Sequence, residues 1–342
     1  MYRKFVILAA LLTFAVIVLG AYVRLSDAGL GCPDWPGCYG QVTPAHAAEE
    51  IADAHAARPH GPVSLHKAWK EMIHRYLAST LGLLIITIAV ISWRKREELK
   101  QSPVLPLALV GMVIFQGMLG MWTVTLLLKP AVVTAHLLCG LTLLALLTLL
   151  ALRQYQTGVR IIAPSSTRRL AVAALMTLAA QIALGGWVST NYAALACQDF
   201  PMCQGMLMPK MDFSNAFHIV RELGMTARGE LLSLDALRAI HWMHRVGALI
   251  TAGIVGALAF RLMLNVRARR LGILLLMILT LQLLLGIGNV YMQLPLALAV
   301  AHNVGAALLV VGLVTVNFAL RRIPSEAQQI EVQSGASAIA AV

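Results

Sequence analysis

The sequence predicts an all-α integral membrane protein whose eight transmembrane helices form two pseudo-symmetric four-helix bundles. Three observations carry this expectation. The chain is 59% hydrophobic and 12% charged, with a mean hydropathy of +0.78, far from the balance of soluble domains. Eight segments are apolar over the roughly 20 residues that cross a hydrocarbon core about 30 Å thick. The second half of the chain also repeats the first.

The expected spans are 5–23, 72–93, 104–128, 131–152, 170–190, 239–260, 271–292 and 296–320. The first is basic and then apolar, as a signal peptide would be. Its apolar run is long, however, and Gly20–Leu25 returns later as part of a structural unit, so it reads as a retained helix. Long loops follow the first and fifth spans, whereas tight turns around Lys129–Pro130 and Gln293–Pro295 join the third span to the fourth and the seventh to the eighth. The polar, small-residue tail after Pro324 reads as disordered.

Shifting the chain by 165 residues lays Leu19–Gly40 on Leu184–Gly205, with ten of 22 positions identical, where average usage gives about one or two. Cys32-Pro-Asp-Trp-Pro-Gly-Cys38 thereby acquires a twin in Cys197-Gln-Asp-Phe-Pro-Met-Cys203. His74-Arg75 matches His244-Arg245, and Gln116 and His136 match Gln282 and His302. Parallel repeats of this kind predict two bundles about an axis along the membrane normal. The expected units are 1–157 and 158–322, followed by a cytoplasmic tail, 323–342.

The net charge of +12 does not imply a nucleic-acid partner. Sixteen Lys and Arg cluster at Arg3–Lys4, Arg94–Lys100, Arg153–Arg169, Arg261–Arg270 and Arg321–Arg322, and the alternate loops carry nine, offset by ten acidic residues. That asymmetry predicts a positive interior face and places both termini in the cytoplasm.

The histidines carry the chemistry. His74, His136, His244 and His302 fall within the first two turns of spans that start at the outer surface. An intramembrane ionisable side chain is a functional candidate by default. The second and fourth spans of each unit run in the same direction, so each unit can present two imidazoles at one depth. Neutral imidazole suits axial ligation of haem iron between bundle helices. Histidines that merely bond a neighbouring helix are the alternative, but two pairs duplicated in register argue against it.

Arg75 and Arg245 have two readings, a clamp on haem propionates or interfacial snorkelling. The four loop cysteines read as two disulfides, Cys32–Cys38 and Cys197–Cys203, on the oxidising side. Cys139 reads as a packing residue. Gln116, Gln181 and Gln282, each shortly before a glycine, read as interhelical hydrogen-bonding groups. His46, His55, His60, His66 and His218 fall in solvated loops. One position breaks the repeat: Glu71 lies three residues before His74, and its counterpart is His241. The i, i+3 spacing puts Glu71 on the helix face of His74. It is either a proton-handling group or an ion-pair partner of Lys67, Lys70 or Arg75.

With these features together, the chain resembles the haem A synthase family of cytochrome oxidase biogenesis over about residues 3–322. The resemblance rests on eight helices, the Gly20–Leu30 stretch running into the first cysteine motif, Glu71-Met-Ile-His74-Arg75, and the histidines of the even-numbered spans. It implies an enzyme that oxidises a ring methyl of haem O to a formyl group. It implies a resident haem b on His244 and His302, with Arg245 beside it. It also implies that haem O faces His74 and His136 near Arg75, with Glu71 as the catalytic acid and base. Implied partners are haem O synthase, terminal-oxidase assembly proteins, membrane lipid and a second copy of the chain, in a bacterial inner membrane. The rivals from other classes are a di-haem b electron carrier and a non-catalytic haem-binding assembly factor. Both leave Glu71 without a use.

Overall fold

The computed structural model describes residues 1–154 and 161–321. The expected tail 323–342, Arg160 and Arg322 of the basic clusters, and the expected boundary at 157/158 lie outside the described residues. Eight helices are long and apolar enough to span a membrane: α1 (Tyr2–Leu25), α2 (Leu65–Arg94), α3 (Val104–Thr125), α4 (Pro130–Arg153), α5 (Ser165–Thr190), α6 (Leu234–Met263), α7 (Arg269–Tyr291) and α8 (Leu296–Ala319). Short helices at Ala48–Ala57 and Phe213–Ala216 sit in the two long loops. Among the described residues the sheet content is two residues per strand, Ile161–Ile162 beside Leu320–Arg321. The protein is a multi-pass, all-helical membrane protein.

Helix α1 packs on α2, α2 on α3, α3 on α4, and α4 closes back on α1; α5, α6, α7 and α8 form the same ring. Between the rings, α4 touches α5 and α8, and α1 touches α8. Lipid tails are as apolar as leucine, so this packing rests on close van der Waals approach through small residues rather than on water release. Ala171, Ala174, Ala259 and Ala307 accordingly have no exposed surface. At Gly272 a side chain would stand 2.7 Å from the Ala259 carbonyl oxygen.

The repeat is visible in the backbone. Left-handed residues recur at matched positions: Asp27 and Tyr192, Tyr39 and Gln204, Gly40 and Gly205. The α3–α4 turn uses Leu127 and Leu128 in this conformation, and the α7–α8 turn uses Gln293 and Leu294.

Several helices start earlier than expected, α5 at Ser165 rather than residue 170 among them. Helix α2 begins at Leu65 rather than residue 72, and α6 at Leu234 rather than residue 239. Serine caps both: Ser64 Oγ accepts the Lys67 N–H at 3.4 Å, and Ser233 Oγ accepts the Ala236 N–H at 3.2 Å. Polar first turns hide these extensions from any reading by hydropathy. At 30 residues each, the two helices reach about 45 Å, more than a hydrocarbon core requires. His74 and His244 are therefore the tenth and eleventh residues of their helices, nearly three turns in. His136 and His302 are each the seventh, within two turns as expected.

Candidate functional site

Each imidazole lies against a glycine of the preceding helix. A side chain at Gly20 would stand 2.9 Å from His74 Cε1; the distances are 3.3 Å for Gly120 and His136, 3.1 Å for Gly185 and His244, and 3.1 Å for Gly286 and His302. Only glycine admits an imidazole so close to a helix backbone. His74 and His136 are within electrostatic reach of each other, as are His244 and His302. All four residues are half-buried, yet Nδ1 of His74, His136 and His302 is buried without a hydrogen-bond partner. An unsatisfied buried polar atom costs roughly 1–3 kcal/mol. Paying that cost at matched positions, on rings that keep an open edge, suits a donor set built for a metal-centred ligand. Two imidazoles per half, His74 with His136 and His244 with His302, are the side chains that would hold a haem iron.

Glutamines one helical turn before three of these glycines touch the rings. Gln181 Nε2 lies 3.0 Å from His244 Nδ1, Gln116 Nε2 lies 3.3 Å from His136 Nε2, and Gln282 Nε2 lies 3.3 Å from His302 Nε2. The expected interhelical hydrogen bonding of these glutamines is present, and what the sequence reading missed is that their partners are the histidines. Their fixed offset from the glycines was the available signal.

Glu71 is 4% exposed. Its Oε2 accepts the backbone N–H of Cys32 at 3.0 Å, and its Oε1 takes an N–H of Arg75 at 2.5 Å. The other arm of Arg75 donates to the carbonyls of Asp34 (2.8 Å), Pro36 (3.2 Å) and Gly37 (2.6 Å). Helix α2 thus grips the first hairpin, which the Cys32–Cys38 disulfide closes. Asp34 finishes it by accepting the N–H groups of Tyr39 at 2.6 Å and Gly40 at 2.7 Å. Of the three expected ion-pair partners, Lys67, Lys70 and Arg75, the structure pairs Glu71 with Arg75. Glu71 is nevertheless buried, three residues before His74 on α2, rather than at a solvated interface.

The second hairpin, closed by Cys197–Cys203, is built alike. Asp199 accepts from Gln204 N–H at 2.6 Å and Gly205 N–H at 2.8 Å. Those N–H groups, Gly205 foremost, with Arg245 nearby, hold its carboxyl below the usual aspartate range. Arg245 donates to the carbonyls of Met202 (2.7 Å) and Cys197 (3.1 Å). At Glu71's position stands His241, 5% exposed and with Nδ1 unpartnered. His241 is enclosed, whereas His244 keeps an open edge. Both arginines are committed to hairpin carbonyls, a third role beside the two expected. Where the halves meet, Arg24 donates to the Ser189 carbonyl at 2.7 Å and lies 4.5 Å from the Tyr192 ring. His46, His55, His60, His66 and His218 are all exposed as expected, but His55 lies in the short helix Ala48–Ala57 and His66 in the first turn of α2 rather than in loop, and Cys139 is a free thiol on α4.

The geometry now has independent support. The chain is 45% identical over 315 residues to a heme A synthase of Shewanella oneidensis, covering 90% of this chain and 93% of that protein. It is 28% identical over 342 residues to a heme A synthase of Mesorhizobium japonicum (91% and 87%). A heme A synthase of Halalkalibacterium halodurans is 26% identical over 253 residues (72% and 78%). Residues 3–314 match the COX15-CtaA family model, described as cytochrome oxidase assembly protein. From the duplicated histidine cradles to the length of these matches, the chain belongs to the COX15-CtaA family of cytochrome oxidase assembly proteins.

Proposed function

We propose that this protein is a haem A synthase that oxidises a ring methyl of haem O to a formyl group. The observation that carries the reading is the asymmetry of a duplicated site: two matched histidine pairs, but a buried carboxylate beside only one. In this reading residues 1–157 form the substrate unit, where His74 and His136 hold the iron of haem O. Residues 158–322 form the cofactor unit, where His244 and His302 hold haem b. Haem b, when bound, supplies one-electron redox chemistry. Glu71 handles protons next to the substrate methyl, and Arg75 with the Cys32 N–H fixes its two oxygens. A charge-stabilised carboxylate held on both oxygens is pre-positioned rather than free to reorient. Arg75 and Arg245 seat the two hairpins over their sites. His241 is enclosed and stands aside from ligation. The arrangement of Lys and Arg supports a bacterial inner membrane with both termini in the cytoplasm.

A di-haem carrier would place no carboxylate beside one site alone, and carriers that cross a bilayer set their haems at opposite depths. The deciding experiment supplies purified protein with haem O and an electron-transfer partner, then identifies each extracted porphyrin by mass. Appearance of hydroxymethyl and formyl products is the expected result. Unchanged haem O with both sites loaded would return the protein to the carrier class.

A further inference from the structure

The repeat leaves a second asymmetry on α2, along the face that carries His74. Lys67 and Lys70 stand seven and four residues before His74, spacings that put all three on one helix face. Both lysines are half-buried and lie nearer the hairpin end of the helix than the histidine. Their counterparts before His244 are Leu237 and Ile240. Ile240 is 1% exposed and packs with Leu237 and Trp187 in one apolar cluster. Trp187 is in turn the counterpart of Tyr22 at the shift of 165. Each of these two rings carries a cation, and the cations are used differently. Arg221 lies over the Trp187 ring, 5.5 Å from its centroid. Its guanidinium donates to Asn191 Oδ1 at 2.7 Å and to the carbonyls of Met225 at 3.0 Å and Ala216 at 3.3 Å. The Lys70 ammonium lies over the Tyr22 ring, 4.7 Å from its centroid. The adjacent Glu71 is taken by Arg75, and among the described residues no other carboxylate or carbonyl pairs with Lys70.

We propose that Lys70, with Lys67 beyond it, holds the carboxylate edge of the substrate porphyrin, a contact that the second half lacks. This rests on the assignment of haem O to the first half and deepens it. Haem O carries two propionate carboxylates on the edge opposite its farnesyl tail. An ionised carboxylate is costly in apolar surroundings unless it is paired, so that edge belongs at the hairpin end while the tail stays among the helices. Gly20 and Tyr22 of α1 meet His74 and Lys70 of α2, so the seam that seats the iron ligand also seats the cation. Four residues are about 6 Å along a helix axis, and the flexible lysine stem adds to that reach. Arg75 and Arg245 are already committed to hairpin carbonyls. An ion pair to a half-buried lysine forms and breaks readily, which suits a ligand that arrives and leaves. In the second half an apolar cluster replaces the grip, and the matched cation, Arg221, is bound up in the protein's own loop.

The test measures equilibrium binding of ferric haem O, and of its dimethyl ester, to full-length protein whose second site holds haem b. Absorbance titrations read both ligands, and pigment analysis reads retention of haem b. Lys70→Met keeps the stem and removes the charge, so it should weaken haem O binding about 10-fold, the contribution of a charge-assisted hydrogen bond. It should leave binding of the dimethyl ester unchanged, and Lys70→Arg should bind haem O nearly as the wild type does. Equal haem O affinity in Lys70→Met and wild type overturns the proposal. So does an equal loss for haem O and its ester, which would make Lys70 a packing residue. If Lys70→Met loses haem b and so fails to fold, Lys70→Gln replaces it with the same expectations. Equal wild-type affinities for haem O and its ester overturn the proposal in any case. The site assignment fails differently: His74→Ala would then leave haem O affinity intact and His244→Ala would abolish it, whatever the result at Lys70.

Discussion

The two disulfide hairpins are the same object used twice. Each is a seven-residue Cys-to-Cys loop closed by a disulfide, with an aspartate accepting two N–H groups at its far end. Each is pinned by an arginine that directly follows a site histidine. They differ in what meets the first cysteine. Glu71 accepts the Cys32 N–H, whereas the residue that matches Glu71 in the second half of the sequence is His241, not a carboxylate. The second hairpin is folded without a glutamate, so the hairpin architecture does not require one. A buried carboxylate must offset a desolvation cost of several kcal/mol. Keeping it in one copy alone points to chemistry, not to the scaffold.

The comparison breaks most visibly at the histidines. In the proposed reading, His244→Ala or His302→Ala is expected to abolish the low-spin signal of the resident haem, because a single remaining imidazole would not hold the iron as two do. His74→Ala and His136→Ala should leave that signal largely intact. Optical spectra with pigment analysis of the four purified variants read this directly. Loss confined to the first-half variants would exchange the roles of the halves.

The next largest effect separates Glu71 from its counterpart. Glu71→Gln keeps shape and packing but removes the titratable group to which the proposed function gives proton transfer, so in that reading haem A formed per resident haem should fall roughly 100- to 10,000-fold. His241→Ala should lower the same yield only a few-fold. Near wild-type turnover in Glu71→Gln would reduce the carboxylate to an anchor for Arg75 and Cys32.

Most of this contrast was legible in the sequence, because duplication made the chain its own alignment. Matching His74-Arg75 with His244-Arg245 picked out the duplicated histidines that the structure sets against glycines, and the mismatch of Glu71 with His241 marked the asymmetry. Apolar run length located eight spans. What was not legible had physical reasons. The polar first turns of α2 and α6 are fixed by the caps at Ser64 and Ser233, which leave no hydropathy signal. The arginine contacts run to backbone carbonyls, which every residue carries and no motif marks. The cradles pair residues on different helices, so Gln181 and His244 meet only once α5 lies against α6.

The arginines sharpen the comparison at a smaller scale. Arg75→Gln strands a buried carboxylate, and breaking one partner of a buried pair typically costs about 3–5 kcal/mol. Arg245→Gln removes hydrogen bonds to carbonyls and leaves no buried acid behind. Its cost should be nearer the roughly 1.5–3 kcal/mol of a charged hydrogen bond. Thermal unfolding followed by resident haem release should therefore rank Arg75→Gln well below Arg245→Gln. Equal losses would mean that the Glu71–Arg75 pair contributes nothing beyond hairpin anchoring.

The smallest expected effect is a pH dependence in the second hairpin. Asp199 sits outside the membrane-spanning helices, with its pKa depressed chiefly by the Gly205 N–H. A depressed carboxylate stabilises the fold above its unfolded pKa, about 3.9, and that contribution is lost as pH falls through the lower, folded value. The window is therefore acidic, at and below about pH 4. In unreduced, denatured protein the one thiol open to labelling should be Cys139, since the other four cysteines are paired. Brief exposure of native protein to a phosphine reductant then reports hairpin opening through newly labelled cysteines. Cys197 and Cys203 should appear a few-fold faster at about pH 3 than at about pH 5, because protonated Asp199 no longer holds the Gln204 and Gly205 N–H groups as strongly. Asp199→Asn should open at the faster rate at both values, which separates the carboxylate from any pH dependence of the reductant. Cys32 and Cys38 should lag throughout, since Glu71 and Arg75 hold that hairpin at its first cysteine and along its turn. If the first hairpin instead opens faster than the second, the extra contacts of Glu71 and Arg75 do not stabilise the loop, and the inequality between the two copies lies in chemistry alone.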